Sequence, residues 1–115
     1  MPISSNYIFV VSMDVDAEHE DLFNEVYDTE HVPYLLKVEG VNSVTRVKGE
    51  AFVMSMAGRE EPKPAPQPAY TAIYEIDSPD VLVSPAWAEA VECGRWGVEV
   101  RPYTTNRSHK LYKVR

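Results

Sequence analysis

The order of strand-like and helix-like segments constrains this fold more than any other feature of the sequence. Four segments are rich in the β-branched and aromatic residues that are typical of strands. They are Tyr7–Met13, Val41–Lys48, Tyr70–Ile76 and Thr104–Val114. One helical segment follows the first strand, and a second helical segment follows the third strand. This order predicts a single α+β domain over residues 1–115, with the split βαβ arrangement βαββαβ.

The first helical segment contains a proline. Its apolar face, at the spacing by which a helix packs on a sheet, consists of Leu22, Phe23 and Val26. Pro33 has no N–H to donate to the carbonyl of Thr29, and its ring clashes with that carbonyl. We therefore expect the helix to end or kink at about His31, to restart at Pro33 and to stop at Gly40.

The second helical region has two start signals, Ser78-Pro79 and Ser84-Pro85. Each is a capping serine followed by a proline at the first helical position. The second signal predicts a helix from Pro85 to about Arg95 that stops near a glycine. The buried side of this helix is predicted to contain Trp87, Ala90 and Val91.

A proline-rich stretch, Arg59–Pro68, lies before the third predicted strand, and every second residue from Pro62 to Pro68 is proline. Such a run is expected to form neither a helix nor a central strand, so we predict an extended polyproline arm on the surface. The arm is either a stiff connector or a clasp for a partner chain. The preceding segment, Ala51–Met56, is either part of a hairpin or a bulged continuation of the second strand.

The predicted sheet has more apolar surface than two helices can cover. Two helices cover only one face of a four-stranded sheet, yet Tyr7–Met13 and Tyr70–Ile76 are apolar on both faces. A second sheet from a second copy of the chain is the simplest cover. We therefore expect a homodimer.

Composition and charge argue against several classes of partner. The chain has 115 residues, of which 44% are hydrophobic and 25% charged, and its formal net charge is −7. Because such a chain repels phosphate backbones and anionic headgroups, we expect no nucleic-acid and no membrane partner. Cys93 is the only cysteine, which leaves no intrachain disulfide and no thiolate zinc site. No ligand triad has a usable spacing, so no metal is expected, and the lack of a signal-peptide pattern predicts a cytoplasmic protein.

The stretch Tyr27–Arg46, YDTEHVPYLLKVEGVNSVTR, carries a recognisable pattern. An acidic residue, a histidine and a proline end the helix, and a short apolar turn, a glycine and a strand arginine follow. These residues are Glu30, His31, Pro33, Leu35, Leu36, Gly40 and Arg46. In this pattern the sequence resembles the EthD-like branch of the dimeric α/β-barrel superfamily, and residues 84–114 are similar to the second half of that family. The sequence departs from the family at Glu39, where proline is frequent, and in the proline-rich insertion.

The resemblance implies a ferredoxin-like α+β fold. In that fold a four-stranded antiparallel sheet carries two helices on one face, and two copies associate as a dimeric α/β barrel. The superfamily supports varied small-molecule chemistry, so the fold alone does not define a reaction.

His31 is the main candidate functional residue, because it lies where the proline interrupts the helix. Tyr27 is four residues earlier and Tyr34 three residues later, so all three can share one face. A freed carbonyl can accept the imidazole N–H and fix the tautomer, which leaves the other nitrogen as an acceptor for acid–base chemistry. Tyr27 or Tyr34 would orient a substrate oxygen, and Glu30 would orient or repel it. The alternative is that His31 only satisfies the carbonyls of the broken helix.

Three further side chains complete the predicted site. His109 on the last strand either lines the cavity, as strand residues do in such barrels, or lies at a sheet edge or a dimer contact. Trp87 and Trp96 form either the apolar walls of a substrate pocket or the packing of the core and a lid.

These residues favour a cofactor-free enzyme or enzyme-like protein that transfers a proton on a small, hydrophobic, oxygenated molecule. Isomerisation, cyclisation and degradation are the expected reaction types, with His31 as acid or base and Tyr27 and Tyr34 as orienting hydroxyls. One alternative is a non-catalytic dimeric protein that binds a small molecule or is associated with stress. Another is a haem-binding barrel with His31 or His109 as axial ligand.

Overall fold

The predicted order of strands and helices is confirmed by the computed structural model, which describes residues 3–115. The strands are β1 (Tyr7–Val15), β2 (Val41–Lys48), β3 (Phe52–Met56), β4 (Arg59–Lys63), β5 (Tyr70–Ile76) and β6 (Thr104–Lys113). The α-helices are α1 (Glu20–Val26), α2 (Val32–Leu36) and α3 (Pro85–Ala90). Four strands form an antiparallel sheet in the order β2-β5-β1-β6, and β3 and β4 form a separate hairpin.

The helices pack on one face of the main sheet. Val11 on β1 lies opposite Ala72 on β5 and His109 on β6, and residues opposite each other in a ladder point to the same face. The apolar core forms between this face and the helices. Its most completely buried side chains are Tyr74, Phe23, Leu35, Ile76, Val26 and Val100.

The other face of the sheet is not covered by the helices. Val10 pairs with Ile73 on this face, and Ile8 lies opposite Tyr112. Val47 and Tyr112 are both exposed. Within residues 3–115, no helix has both the length and the apolar character needed to span a bilayer.

The first helix is interrupted where the sequence predicted, but the chain continues through the interruption in a different form. Residues Tyr27–His31 form a π turn between α1 and α2, and the N–H of Val32 bonds to the carbonyl of Tyr27 five residues earlier. The wider turn accommodates Pro33, which has no N–H for the normal ladder. The helical path therefore bends at His31 instead of ending there.

The prediction of a polyproline arm was wrong for the first half of Arg59–Pro68. Residues Arg59–Lys63 form β4, which pairs with β3 across a turn in which Ala57 and Gly58 both have positive φ. Two consecutive positive φ values are those of a type I′ hairpin turn. Pro62 fits because β4 pairs with β3 alone, so one edge of β4 needs no donor. Residues 64–66 have no regular secondary structure.

The second helix is shorter than predicted. Ser84 caps it as expected, with its hydroxyl oxygen accepting from the N–H of Trp87 at 3.2 Å, but α3 ends at Ala90 rather than near Arg95. Gly94 follows with a φ of +71°, a conformation that ends regular helix. Ser78 makes no side-chain cap, and only a 3₁₀ turn, Pro79–Val83, follows it.

Candidate functional site

A cavity of about 220 Å³ lies between the helices and the β1–β6 side of the sheet. Its apolar wall includes Phe9, Val11, Met13, Leu35, Trp87, Val91 and Trp96. Its polar lining consists of Tyr27, His31, Tyr74, Arg101, Arg107 and His109. The cavity therefore combines an apolar interior with several hydrogen-bonding and cationic groups.

His31 occupies the end of the π turn and is only 5% exposed. Its ring stacks on Trp96 at a centroid distance of 4.5 Å and meets Tyr27 edge-on at 5.0 Å. Its Nδ1 atom is buried and has no hydrogen-bond partner among residues 3–115. The expected bond to a freed carbonyl is thus not seen at Nδ1. A buried polar atom without a partner is costly, and the His31 side chain also lines the cavity.

The imidazole of His31 is held in its neutral form. Burial, together with the nearby Arg101 guanidinium, lowers the pKa of His31 to about 4, while Glu92 acts in the opposite direction. Arg101 is itself paired with Glu92 through two contacts of 2.9 Å. At neutral pH, His31 can accept a proton but has no imidazolium proton to give.

Two phenols form the floor beside His31. The hydroxyl oxygens of Tyr27 and Tyr74 lie 3.0 Å apart, in a hydrogen bond. Burial raises the pKa of both groups, so both stay protonated. The Arg46 guanidinium lies 4.4 Å from the centre of the Tyr27 ring, on β2. This cation–π contact fixes the ring from the side away from His31.

Strand β6 contributes two polar side chains at the edge of the cavity, a guanidinium and an imidazole. Arg107 and His109 both line it, two residues apart on one face of the strand. His109 stacks on Phe9 at 6.0 Å and is otherwise exposed. Three further lining residues, Arg107, Arg101 and Tyr74, were not predicted from the sequence. Arg107 could have been found from its spacing to His109, whereas Arg101 lies in a turn that has no sequence signature.

The predicted site residues divide into two groups. His31, Tyr27, Trp87, Trp96 and His109 come together around the cavity. Trp87 packs edge-on against Phe9 and Tyr74, at 5.9 and 5.7 Å.

Tyr34 and Glu30 lie outside the cavity lining. Tyr34 borders a separate surface depression near Cys93 and faces Lys37 at 5.7 Å. Glu30 binds Arg95, accepting from its backbone N–H at 2.9 Å and from its Nε at 2.6 Å. These bonds lower the pKa of Glu30 and connect the π turn to the segment after α3. Glu30 therefore has a structural partner, and Tyr34 is separated from His31.

The described residues offer no cluster suited to a metal ion. No group of three or more His, Cys, Asp or Glu side chains within residues 3–115 converges in a way that could hold one. The lining of the cavity contains two histidines and no carboxylate.

Comparison with known proteins identifies the fold. No family model matches the sequence, and no curated protein matches it. An ethyl tert-butyl ether D (EthD) family protein from Bacillus halodurans aligns with a TM-score of 0.57 and 12% identity, over 95% of this chain and 99% of that chain. The chain has the ferredoxin-like fold of the dimeric α/β barrels. A point mutant of MhuD with two manganese protoporphyrin IX molecules bound per active site aligns equally well, with a TM-score of 0.57 and 13% identity over 94% of this chain and 93% of that chain.

The resemblance to the EthD-like branch is therefore confirmed at the level of the fold. The EthD family protein and MhuD are different proteins that share this fold, and at such low identity the likeness extends to the fold alone.

Proposed function

We propose that the protein is an enzyme that transfers a proton on a small, hydrophobic, oxygenated molecule, with His31 as the base. One observation carries this proposal: a neutral, buried imidazole with an unpartnered nitrogen forms part of the wall of a cavity. A histidine that only satisfied a broken helix would have its ring nitrogens bonded to carbonyls. Proton transfer of this kind needs no cofactor.

The low basicity of His31 limits the reaction. A base whose conjugate acid has a pKa of about 4 removes a proton efficiently only from an acidic carbon, such as one flanked by two carbonyls. The proton moves from that carbon to the imidazole, and the electron pair moves onto the carbonyl oxygen. A phenol of the Tyr27–Tyr74 pair would donate a hydrogen bond to this oxygen. The imidazolium then returns the proton to a second carbon or to oxygen.

The side chains differ from the set expected from the sequence. Tyr74 takes the orienting role that was expected for Tyr34, because Tyr74 lines the cavity and bonds to Tyr27. Trp87 and Trp96 supply apolar walls that exclude water and strengthen polar contacts to the substrate. His109 remains a candidate for substrate contact at the open edge.

Keto–enol relaxation of benzoylacetone tests this proposal. This uncharged aromatic 1,3-diketone is diluted from an apolar solvent into buffer, and its ultraviolet absorbance is followed with and without protein. We expect the protein to accelerate relaxation and His31→Gln to lower the acceleration by about 100-fold or more. His19→Gln is the matched control, because His19 lies outside the cavity lining. Equal rates for wild type and His31→Gln would contradict the role of His31.

The pH profile provides a second readout. The acid limb of the wild-type rate should lie near pH 4, not near 6.5, because the base stays neutral down to its lowered pKa. A limb near pH 6.5 would contradict the role of a buried His31 as the base.

A non-catalytic binding protein is the alternative from another functional class. It uses the same cavity but predicts that benzoylacetone binds without any change in its rate of relaxation. The presence of open space beside His31 meets the minimum condition of both alternatives. Calorimetric titration together with the rate assay separates them.

Haem binding is a second candidate, supported by the porphyrins bound in the MhuD structure. The described cavity does not fit such a group: it measures about 220 Å³, below the roughly 300–1,000 Å³ of pockets that hold drug-sized ligands. Trp96 also covers one face of His31. Titration with haem that yields a Soret band abolished by His31→Ala or His109→Ala would reverse this conclusion.

We also propose that the protein forms a homodimer through the face of the sheet that the helices leave uncovered. The supporting observations are the apolar residues on that face, including the Val10–Ile73 pair and exposed Val47. Burial of this surface by a second copy would remove apolar area from water, at about 25 cal/mol per Å². Analytical ultracentrifugation at micromolar concentration tests the proposal, and a monodisperse monomer would contradict it.

A further inference from the structure

We propose that the substrate carries a carboxylate, and that Arg107, at the β6 edge of the cavity, binds this group while the apolar wall holds an aromatic ring. The inference rests on the cavity of the proposed function and adds the class of substrate. It does not depend on His31 acting as a base.

The charge distribution is the first support. The chain contains 18 acidic and 11 basic residues, yet no carboxylate lines the cavity, whereas Arg101, Arg107 and His109 do. Glu92 compensates the charge of Arg101, but the Arg107 guanidinium, at the edge of a cavity that no carboxylate lines, provides a local attraction for an anion.

The two arginines differ in their availability. Both amino groups of Arg101 are bonded to Glu92, and one also donates to the carbonyl of Val91. Arg107 has no carboxylate within 4 Å in the part of the chain that the structure describes. Its planar guanidinium is therefore free to bind a carboxylate through two parallel hydrogen bonds.

A bulge in β6 lies directly before Arg107. Between Ser12 and Asp14 the register with β6 shifts, and Asn106 has a φ of +56°. Regular alternation would place residues three apart on opposite faces, yet Thr104 is buried on the cavity side of the sheet and Arg107 also lines the cavity. The extra residue therefore lets Arg107 share a face with His109 on one side of the bulge and with Thr104 on the other.

The bulge is held by a specific contact. The side-chain amide of Asn106 donates to Asp14 Oδ2 at 2.9 Å, and this bond lowers the pKa of Asp14. Left-handed backbone at a non-glycine residue costs free energy. The bond from Asn106 offsets part of that cost and keeps the strand bulged beside the cavity.

Size and shape limit the rest of the ligand. An apolar cavity of about 150 Å³ holds one benzene molecule, so a cavity of about 220 Å³ holds one aromatic ring with a short side chain. Phe9, Trp87 and Trp96 line it and offer ring faces and edges for aromatic contact. An aromatic acid with a short unsaturated or oxygenated side chain fits both the apolar wall and the cationic edge.

Isothermal titration with a matched pair of probes tests the inference. The probes are trans-cinnamate and cinnamyl alcohol, which share a ring and a side chain and differ in the carboxylate. We expect wild type to bind cinnamate at least tenfold more tightly than the alcohol. Arg107→Gln should bring the two affinities within about twofold of each other by weakening cinnamate alone.

Arg59→Gln is the control for the change in net charge, because Arg59 lies on the exposed hairpin with a side chain that is 77% exposed. It should leave the preference for cinnamate intact. Raising the salt concentration should weaken cinnamate and spare the alcohol in wild type, which keeps the test valid if Arg107→Gln does not fold.

The remaining outcomes overturn the inference. These are equal affinities for the two probes in wild type, an undiminished preference in Arg107→Gln, or no binding of cinnamate. The result is separable from proton transfer. If cinnamate binding depends on Arg107 while benzoylacetone is not turned over, the anion site is supported and the role of His31 is contradicted. If benzoylacetone is turned over while cinnamate binding does not depend on Arg107, the role of His31 is supported and the anion site is contradicted.

Discussion

At the scale of single residues, His31 combines properties that rarely occur together. It is buried, its Nδ1 lacks a partner among the described residues, and a tryptophan covers its ring. Burial disfavours the imidazolium most, and the nearby Arg101 guanidinium adds to this effect. The residue thus costs stability whenever the solution is acidic enough to charge the unfolded chain, and that cost can be measured without knowing any substrate.

We predict a specific loss of stability in acid that depends on His31. The folded pKa of about 4 lies below the ordinary value of 6.5, so the unfolded state binds more protons between these values. The His31 contribution is fully present above pH 6.5 and is lost as the pH falls towards 4. Linkage gives about 2 kcal/mol between pH 7 and 4.5.

Urea unfolding at the two pH values measures this loss. His31→Gln should lose about 2 kcal/mol less than wild type on acidification. An identical pH dependence in wild type and His31→Gln would show that the imidazole is not depressed.

Gly94 offers a second residue-scale prediction. A Cβ at this position would lie 2.5 Å from the Glu30 carboxylate oxygen and 3.0 Å from the Tyr34 ring, and its φ is +71°. Gly94→Ala should therefore destabilise the protein by about 2–3 kcal/mol, through both backbone strain and the clash.

Gly58→Ala is the matched control for backbone strain. Gly58 has a φ of +80° but nothing within 4 Å of its virtual Cβ, so only the strain of about 1 kcal/mol applies. Thermal unfolding of both variants gives the comparison. Equal losses of stability in the two variants would mean that the Glu30 side chain moves away from the new methyl group at no cost in free energy.

At the scale of elements, the main strands and their order could be predicted from the sequence. The alternation of apolar residues within a strand does not depend on the conformation of the loops that connect the strands. Two departures share a cause: the backbone adopts a local conformation that periodicity does not encode. The π turn Tyr27–His31 absorbs Pro33, and the positive φ values at Ala57 and Gly58 create the β3–β4 hairpin inside a proline-rich stretch. The Ala-Gly pair was a usable turn signal that the prolines outweighed.

The β3–β4 hairpin is an appendage, and its removal should spare the fold. The N–H of Gly49 donates to the carbonyl of Ala69 at 2.7 Å, so the segment that contains the hairpin, residues 50–68, begins and ends next to one hydrogen-bonded pair. Phe52 and Val53 are more than half exposed, and an isolated two-stranded hairpin is marginal in water. We predict that replacing residues 50–68 by an Asn-Gly turn changes the melting temperature by only a few degrees.

The same variant should dissociate more readily if the hairpin contacts a second copy of the chain. We expect its dimer dissociation constant, measured by ultracentrifugation, to rise at least tenfold. Phe52→Ser is a milder variant of the same kind. Unchanged self-association in both variants would leave the hairpin as a connector only.

At the scale of the whole molecule, the candidate site was only half accessible to sequence reasoning. His31 and Tyr27 were found because the proline marks their helix. Tyr74 was missed because it reaches the cavity through strand pairing, which depends on residues tens of positions away. Arg107 was also missed, although its spacing to His109 on the last strand would have indicated it. Tyr34 was included because helical spacing brings it near His31, but the π turn rotates the face after it.

The cavity is built within one copy of the chain, since every group that lines it comes from the helical layer and strands β1, β5 and β6 of the same subunit. Two copies joined through the opposite face of the sheet would keep two separate chambers with a double layer of strands between them. Ligand titration of the dimer should then saturate at two equivalents along a hyperbola, with a Hill coefficient of about 1. The dimer would then contain two independent sites, one in each subunit, on opposite sides of the paired sheets.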